Sequence, residues 1–443
     1  GWATLAINTT ASYNTAVGNS ALLYNTSGPN NVSIGSFTLD ANTTGGSNVA
    51  VGANALSANS TASNNTAVGR NALLKNTTGT PNTAVGYAAL QELTTGGSNV
   101  AIGMQALRDS TTGSSNIAIG QNALVYNSSG SNNVGVGQNA CFNTTTGIDN
   151  VAVGGDALLS NTSGQRNVAV GRRALDANTV GEKNVAIGMD ALTGNVDGSR
   201  SVAVGDSALQ VQDPASAVEM YNTAVGHAAG NAVTTGTSNT LIGGEAGDSI
   251  TTAQQNTFIG RHSGNTTTTG NDNVCVGRET KTSAVDSANQ IVMGDNVTGN
   301  ANSSFCFGKD ATDSAIAFGA TSITAPSDQR YKEEIVDAVA GLSFVNDLRP
   351  VTFKWKKEKD IPSTQRAYVE GSETRVMNDY TNHGFIAQEV KTVIDAHSEI
   401  KDGFDMWMED EADGRQRLGP SALIPVLVKA IQELTARIET LEG

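Results

Sequence analysis

Ser327 and Lys332 are a pair of residues whose types and spacing could do chemistry in this 443-residue chain. A serine hydroxyl becomes a nucleophile when a base takes its proton, and a lysine amine serves as that base where desolvation or a neighbouring cation favours its neutral form. The pair lies in the stretch SDQRYK, with Asp328 and Arg330 between them and Pro326 immediately before. Spacing alone is a weak signal, because Ser and Lys five apart recur by chance in most proteins. Other groups promise less. His227 and His262 follow their nearest upstream glycines at different offsets and read as lone polar corner residues in preference to the alternative, a metal site on the axis of an assembly, while His383 and His397 read as surface or satisfied polar groups. Cys141, Cys275 and Cys306 are odd in number, widely spaced and set in apolar runs, so they are expected to be small core residues. No metal or cofactor is expected.

The surroundings of the pair change abruptly. Residues 327–443 hold 15 of the 27 Lys and Arg and 22 of the 42 Asp and Glu, although they are only about a quarter of the chain. The net charge of -15 is spread over both parts, and no basic run or aromatic-interleaved basic face is present, so no nucleic-acid partner is expected. No apolar stretch reaches spanning length, which argues against membrane insertion. The opening residues, GWATLAINTT, lack a basic n-region and an apolar h-region.

Upstream of Ser327 the chain is a ruler. Aligned on N-[VTI]-[AGS]-[VI]-G or its close variants, the terminal glycine recurs every 17 residues from Gly18 to Gly205; after one 21-residue step the interval of 17 resumes from Gly226 to Gly294. Two looser units end at Gly308 and Gly319. In the unit Asn48 to Asn64, NVAVGANALSANSTASN, Val49 and Val51 alternate about Ala50, Gly52 allows a sharp turn, and Ala55-Leu56 supply a second apolar pair. The reading is two tiny strands and two turns per unit, with the valines inward. Seventeen residues cannot bury such a face alone, so coils must stack and pair their backbones with the coils on either side. β-branched alternation, corner glycines and NTTG loops disfavour helical repeats. The expected fold is mainly β, an elongated parallel β-solenoid or β-roll, which the resemblances given below imply to be trimeric, followed by a small α+β domain that ends in a coiled-coil helix. About eighteen coils at roughly 4.8 Å each give a rod on the order of 85 Å long. The recurrent Asn that opens each unit, such as Asn65, Asn82 and Asn99, should form a hydrogen-bonded column.

The division expected is a shaft over 1–209, an insertion over 210–221, a distal shaft over 222–326 and a separate domain over 327–443. Beyond the insertion, which carries Asp213, Pro214, Met220 and Tyr221, the Ala-Leu pair becomes Ala-Gly or Ser-Gly, at Ala229-Gly230, Ala246-Gly247 and Ser263-Gly264. Losing a leucine from each coil should narrow or reshape the rod. A sugar-cleaving site would need paired carboxylates facing one groove, usually with aromatic platforms. The acids of the shaft do not recur in a column, and aromatics are scarce there.

The repeats resemble the heads of trimeric autotransporter adhesins and the repeats of phage and large-virus fibres, over roughly Asn14 to Gly319. S-D-x-R-x-K at Ser327, Asp328, Arg330 and Lys332, followed by RPVTFKW (Arg349–Trp355), HGFIAQEV (His383–Val390) and a final helix, resembles the C-terminal intramolecular chaperone of phage tailspikes and fibres. That resemblance implies a domain that assembles a trimer and then releases itself at the motif serine. Ser327 would be the nucleophile, Lys332 the base, and Pro326-Ser327 the bond cut, with Asp328 and Arg330 in orienting or charge-tuning roles. A proline before that bond restricts the backbone and would slow cutting.

In the final helix Ile424, Leu427, Ile431, Leu434, Ile438 and Leu441 recur three and four apart, as a coiled-coil seam does. The alternative is a helix packed on its own domain, and the Ile/Leu pattern by itself favours a parallel dimer. The expectation of a trimer comes from the resemblance. The resemblances together imply a virion tail fibre or tailspike. Its partners would be two further copies, other tail proteins, and a host-surface glycan or protein receptor. The alternatives are a bacterial surface or secreted trimeric adhesin built from the same parts, and a glycan-degrading tailspike.

Overall fold

The structure, a computed structural model, describes residues 1–310, 312–320, 323, 327, 329–365, 367–400, 404–409 and 414–442. The chain divides into two compact units, Gly1–Pro326 and Ser327–Gly443.

The first unit is a parallel β-solenoid whose strands form one 19-stranded sheet. Neighbouring coils pair in a register fixed by the repeat, with Val49 opposite Thr66, Ala50 opposite Ala67 and Val51 opposite Val68. The 21-residue step leaves the register intact, because Val202 still pairs with Thr223 and Ala203 with Ala224. The additional residues form a loop instead, tied back at the bridge between Ser199 and Glu219 and by the buried Met220. At the end of the solenoid, Ser304–Lys309 pairs parallel to Gln290–Asp295 after a 14-residue step. Ser314–Ala317 then returns antiparallel along it, so the unit ending at Gly319 is a hairpin rather than the expected coil. This covers a strand edge that would otherwise be open to pairing with other chains.

Two expectations about the single coil are corrected. Each coil has one strand rather than two, of three residues in most coils, and the strand points its central residue, most often alanine, inward. Ala50, Ala67 and Ala101 are fully buried, while Val49, Val51 and their equivalents face outward and are half-buried or exposed. Alternation defines two faces but does not say which one is inside. Volume decides it: the interior of a 17-residue coil is filled by Ala50, Ala55 and Leu56, all completely buried, which leaves no room for a pair of valines as well.

Ala55-Leu56 lies in a turn, and that turn is hydrogen-bonded as thoroughly as the strand. Asn54, Leu56 and Asn64 have φ of 61°, 52° and 60°. Left-handed residues re-aim their backbone groups along the solenoid axis. Asn54 N–H donates to the Ser36 carbonyl one coil back (3.0 Å), and Leu56 N–H donates to the Ala72 carbonyl one coil on (3.0 Å). A left-handed leucine costs roughly 1–2 kcal/mol. Full burial of its side chain contributes about 1.5–3 kcal/mol and offsets that strain.

The expected Asn column is present and its bonds run from coil to coil. The Asn65 backbone N–H donates to Asn48 Oδ1 (3.0 Å) and the Asn48 backbone N–H to Asn31 Oδ1 (2.9 Å), while Asn48 Nδ2 donates to the Ala62 carbonyl (2.9 Å). A second buried column was not anticipated. Asn42 Nδ2 donates to Asn25 Oδ1 (2.8 Å) and Asn59 Nδ2 to Asn42 Oδ1 (2.9 Å). Its signal is in the sequence, in the same 17-residue spacing of Asn25, Asn42, Asn59 and Asn76.

The distal coils replace the missing leucine rather than lose its volume. Where the turn residue becomes Gly247 or Gly264, the inward strand residue grows from alanine to Leu241 and Phe258, both fully buried. A Cβ on Gly264 would stand 2.1 Å from Phe258 Cδ2, so the ring occupies the vacated space.

The corner glycines are required twice over. Gly103 has φ of 138°, and a Cβ there would lie 2.4 Å from the carbonyl oxygen of Gly120 on the next coil. Gly155, next to a corner, has open space around its Cβ position. Gly103→Ala should therefore destabilise the shaft by about 1–3 kcal/mol or more, whereas Gly155→Ala should leave it unchanged within about 0.5 kcal/mol. Thermal unfolding of the two variants followed by circular dichroism checks this, and equal midpoints would show that the corner is not tightly stacked.

Candidate functional site

The second unit is built round Phe344, which is completely buried among Leu348, Val390, Ile394, Met406 and Val426. Three helices supply most of that core: α1 (Leu342–Asp347), α2 (Ala387–Ala396) and α3 (Leu423–Glu442). The N-cap of α1 is Gly341, which has no side chain to satisfy the first amides of the helix. Glu433 of α3 does so from 91 residues away, accepting the Leu342 N–H at 2.9 Å. A carboxylate at a helix N-terminus is also favoured by the helix dipole.

The two quoted motifs meet in space. Val351–Phe353 of RPVTFKW pairs antiparallel with Asn382–Gly384, so that Thr352 lies opposite His383. Arg349, which opens the first motif, makes a two-pronged ion pair with Glu389 in the second, including Nε to Oε2 at 2.9 Å. Phe353 and Trp355 meet edge to face with centroids 5.4 Å apart. These motif residues form the frame of the unit.

Ser327 and Lys332 stand on either side of a single 3-10 turn, Gln329–Tyr331, closed by the Lys332 N–H donating to the Gln329 carbonyl at 3.1 Å. The turn shortens the five-residue separation to contact: Lys332 Nζ donates to Ser327 Oγ at 2.8 Å. Arg330 is exposed within the same turn. Pro326 and Asp328 lie outside the described residues. Both members of the pair are exposed, and the chain after them, Ile335, Val336 and Val339, is exposed and apolar. Sequence reasoning missed that patch, since its spacing is that of an ordinary amphipathic segment.

Helix α3 uses two faces. Leu423, Val426 and Ala430 are buried in the unit's own core, whereas Ile424, Leu427, Ile431, Leu434, Ile438 and Leu441 point outward, with Ile431 62% exposed and Leu441 86% exposed. The seam residues and the core residues are therefore different sets. Among the described residues no helix is long and apolar enough to cross a membrane. The three cysteines are free and buried, and burial pushes the thiols of Cys141 and Cys275 up to about 12, which makes them poor nucleophiles.

A β-solenoid followed by a separate helical and β unit fits a tailspike with a C-terminal chaperone, as the family comparison bears out. Residues 327–399 match the family model described as chaperone of endosialidase, a family of self-cleaving intramolecular chaperones. The match begins at the serine of the contact and covers both paired motifs and α2. No curated protein and no solved structure matches the chain.

His397 is a further structural group in this unit. Its Nε2 lies 2.9 Å from Asp347 Oδ2 and its Nδ1 lies 2.8 Å from Glu399 Oε1, while its ring meets Phe344 edge-on. Two carboxylate acceptors call for two ring N–H donors, so Asp347 and then Glu399 hold the imidazole pKa above its ordinary value. The raised folded value means that this clasp stabilises fully below the unfolded histidine pKa of about 6.5 and fades as pH rises through the folded one. The unfolding midpoint of the unit should fall across that window in the wild type and vary less in His397→Gln, measured by thermal melts from pH 6 to 9.

Proposed function

We propose that the chain is a segment of a trimeric virion tail fibre or tailspike used in host attachment, and that residues 327–443 drive its trimerisation and then release themselves by cutting Pro326-Ser327. The observation that carries this reading is the 2.8 Å contact of Lys332 Nζ with Ser327 Oγ at the start of the segment that matches the chaperone family. Lys332, once neutral, takes the Ser327 hydroxyl proton as Oγ attacks the Pro326 carbonyl carbon. A five-membered ring forms, the C–N bond breaks, and the Ser327 nitrogen leaves as an amine with the proton returned by Lys332. The ester left between Pro326 and Ser327 Oγ is then hydrolysed by water to a Pro326 carboxylate and a free serine hydroxyl. The reaction runs once per chain. Asp328 and Arg330 orient the turn or tune its charge.

A lysine exposed to water keeps its proton, so the pair needs cover before it can act. Packing of three copies would supply that cover. The outward seam of α3 and the exposed Ile335, Val336 and Val339 support such packing in the second unit. The outward column of Val and Ile along the sheet supports it in the first. Cutting is thereby tied to assembly, and the register of a long parallel ladder is set before the chaperone leaves. The mature fibre would keep the shaft, with other tail proteins and a host glycan or surface protein as its partners.

Expression of the wild type should yield two fragments that meet at Pro326-Ser327, whereas Ser327→Ala and Lys332→Ala should remain full length; intact mass of the purified protein reads both. A wild-type chain that assembles as a trimer yet stays whole would exclude the dyad. Deletion of residues 327–443 from the gene should give aggregated or monomeric shaft, as seen by light scattering. Soluble trimers from that truncated gene would show that the segment is not needed for assembly.

A further inference from the structure

Where most coils of the solenoid carry neutral residues at the second position after the corner glycine, three successive distal coils carry Glu245, His262 and Glu279, of which the first two are in contact. Both are left-handed, with φ of 59° and 53°. Their backbones are locked to neighbouring coils, Glu245 N–H to the His227 carbonyl at 2.8 Å and His262 N–H to the Gly244 carbonyl at 3.0 Å. His262 Nε2 stands 2.6 Å from Glu245 Oε2. Asp248, three residues after Glu245 in the same turn, completes a set in which one ligand-capable atom from each residue lies within 4.8 Å of the others. One coil on from Asp248 in the same column, Asn265 has a buried Oδ1 with no hydrogen-bond partner.

We propose that Glu245, Asp248 and His262 form a site for a borderline divalent transition-metal ion, with Zn²⁺ as the best fit. One imidazole nitrogen and two carboxylates are a donor set suited to such an ion, whereas an all-oxygen set would suit calcium or magnesium. Glu245 and His262 spring from turns whose backbones are bonded to neighbouring coils, so their spacing is held by the backbone.

The competing arrangement is an ion pair without metal, and the same solenoid shows what that looks like. At the equivalent positions Arg173 Nη2 meets Asp190 Oδ2 at 2.7 Å, with Asp176 placed in its turn as Asp248 is in its own. There the cation is a permanently charged guanidinium. In the distal pair it is an imidazole, whose neutral form offers a nitrogen lone pair that a metal can take. Arg261 Nη2 lies 3.1 Å from His262 Nε2. One nitrogen cannot accept from Arg261 and donate to Glu245 together; an ion would take the place of Arg261, which is exposed and free to turn to solvent. His227 Nδ1, 4.0 Å from Glu245 Oε1, is a neighbour outside the set.

The test is zinc titration of tag-free full-length protein by calorimetry, with Co²⁺ absorption as a spectroscopic probe of imidazole–carboxylate ligation. Wild type should bind one more Zn²⁺ per chain than His262→Gln, and a Glu245→Gln/Asp248→Asn variant should weaken that site about tenfold or more. His227→Gln should bind as wild type does. Circular dichroism confirms that each variant keeps the solenoid, and because the replaced side chains are only partly buried, at least the histidine or the carboxylate variant gives a readable protein. Equal zinc uptake by wild type and both variants, or none by any, would overturn the proposal and leave a histidine–carboxylate ion pair. This outcome is independent of whether Pro326-Ser327 is cut.

Discussion

Backbone hydrogen bonding from each coil to the next is the constraint on which the rest of the shaft depends. A 17-residue coil has almost no interior, so it cannot satisfy its own amides and carbonyls or form a core alone. Its strand covers only three residues, such as Val49–Val51. The turns must therefore pair between coils too, and left-handed residues make this possible by turning Asn54 and Leu56 N–H groups toward opposite neighbours. Every other recurrent feature serves that stacking. The corner glycines let backbones approach within the space a Cβ would need, and the two asparagine columns supply donors and acceptors where the chain leaves the ladder.

Conservation of volume inside the coil explains how the repeat tolerates variation. Most coils pair an inward strand alanine with a turn leucine. The distal coils reverse the sizes, with Leu241 or Phe258 on the strand and Gly247 or Gly264 in the turn. The exchange also removes the strain of a left-handed leucine, since glycine adopts that conformation freely. The insertion is handled in the same spirit. Ser201 is too short to continue the first asparagine column, and Gln212 of the second column links it onward, its Nε2 donating to Ser201 Oγ at 3.0 Å and its Oε1 accepting from Asn222 Nδ2 at 2.9 Å.

The second unit follows a different logic, with a packed core and distant side-chain caps in place of repetition. Glu433 caps α1 from α3, and Arg349 ties the first motif to the second, so residues far apart in sequence fix one another. Helix α3 divides its apolar residues between the core and an outward seam. An apolar face left outward on a single chain is costly in water, and this supports the proposal that the unit associates. A long parallel ladder offers many equivalent registers, and an assembled C-terminal nucleus would select one.

The sequence by itself determined the period, the β-solenoid, the first asparagine column, the boundary in charge at Ser327 and the residues of the serine–lysine contact. These are legible because each is a local or periodic property: a spacing of 17, a glycine at each corner, a motif six residues long. Only the tertiary structure decided which face of each strand points inward, since alternation is symmetric between faces and the available volume breaks the tie in favour of Ala50 over Val49 and Val51. It decided that the Ala-Leu pair is a left-handed turn, because propensity does not anticipate a leucine at φ of 52°. It also decided that Glu245, Asp248 and His262 converge. Glu245 and His262 share an offset from their corner glycines, and stacking of adjacent coils is what turns a separation of 14 to 17 residues into contact.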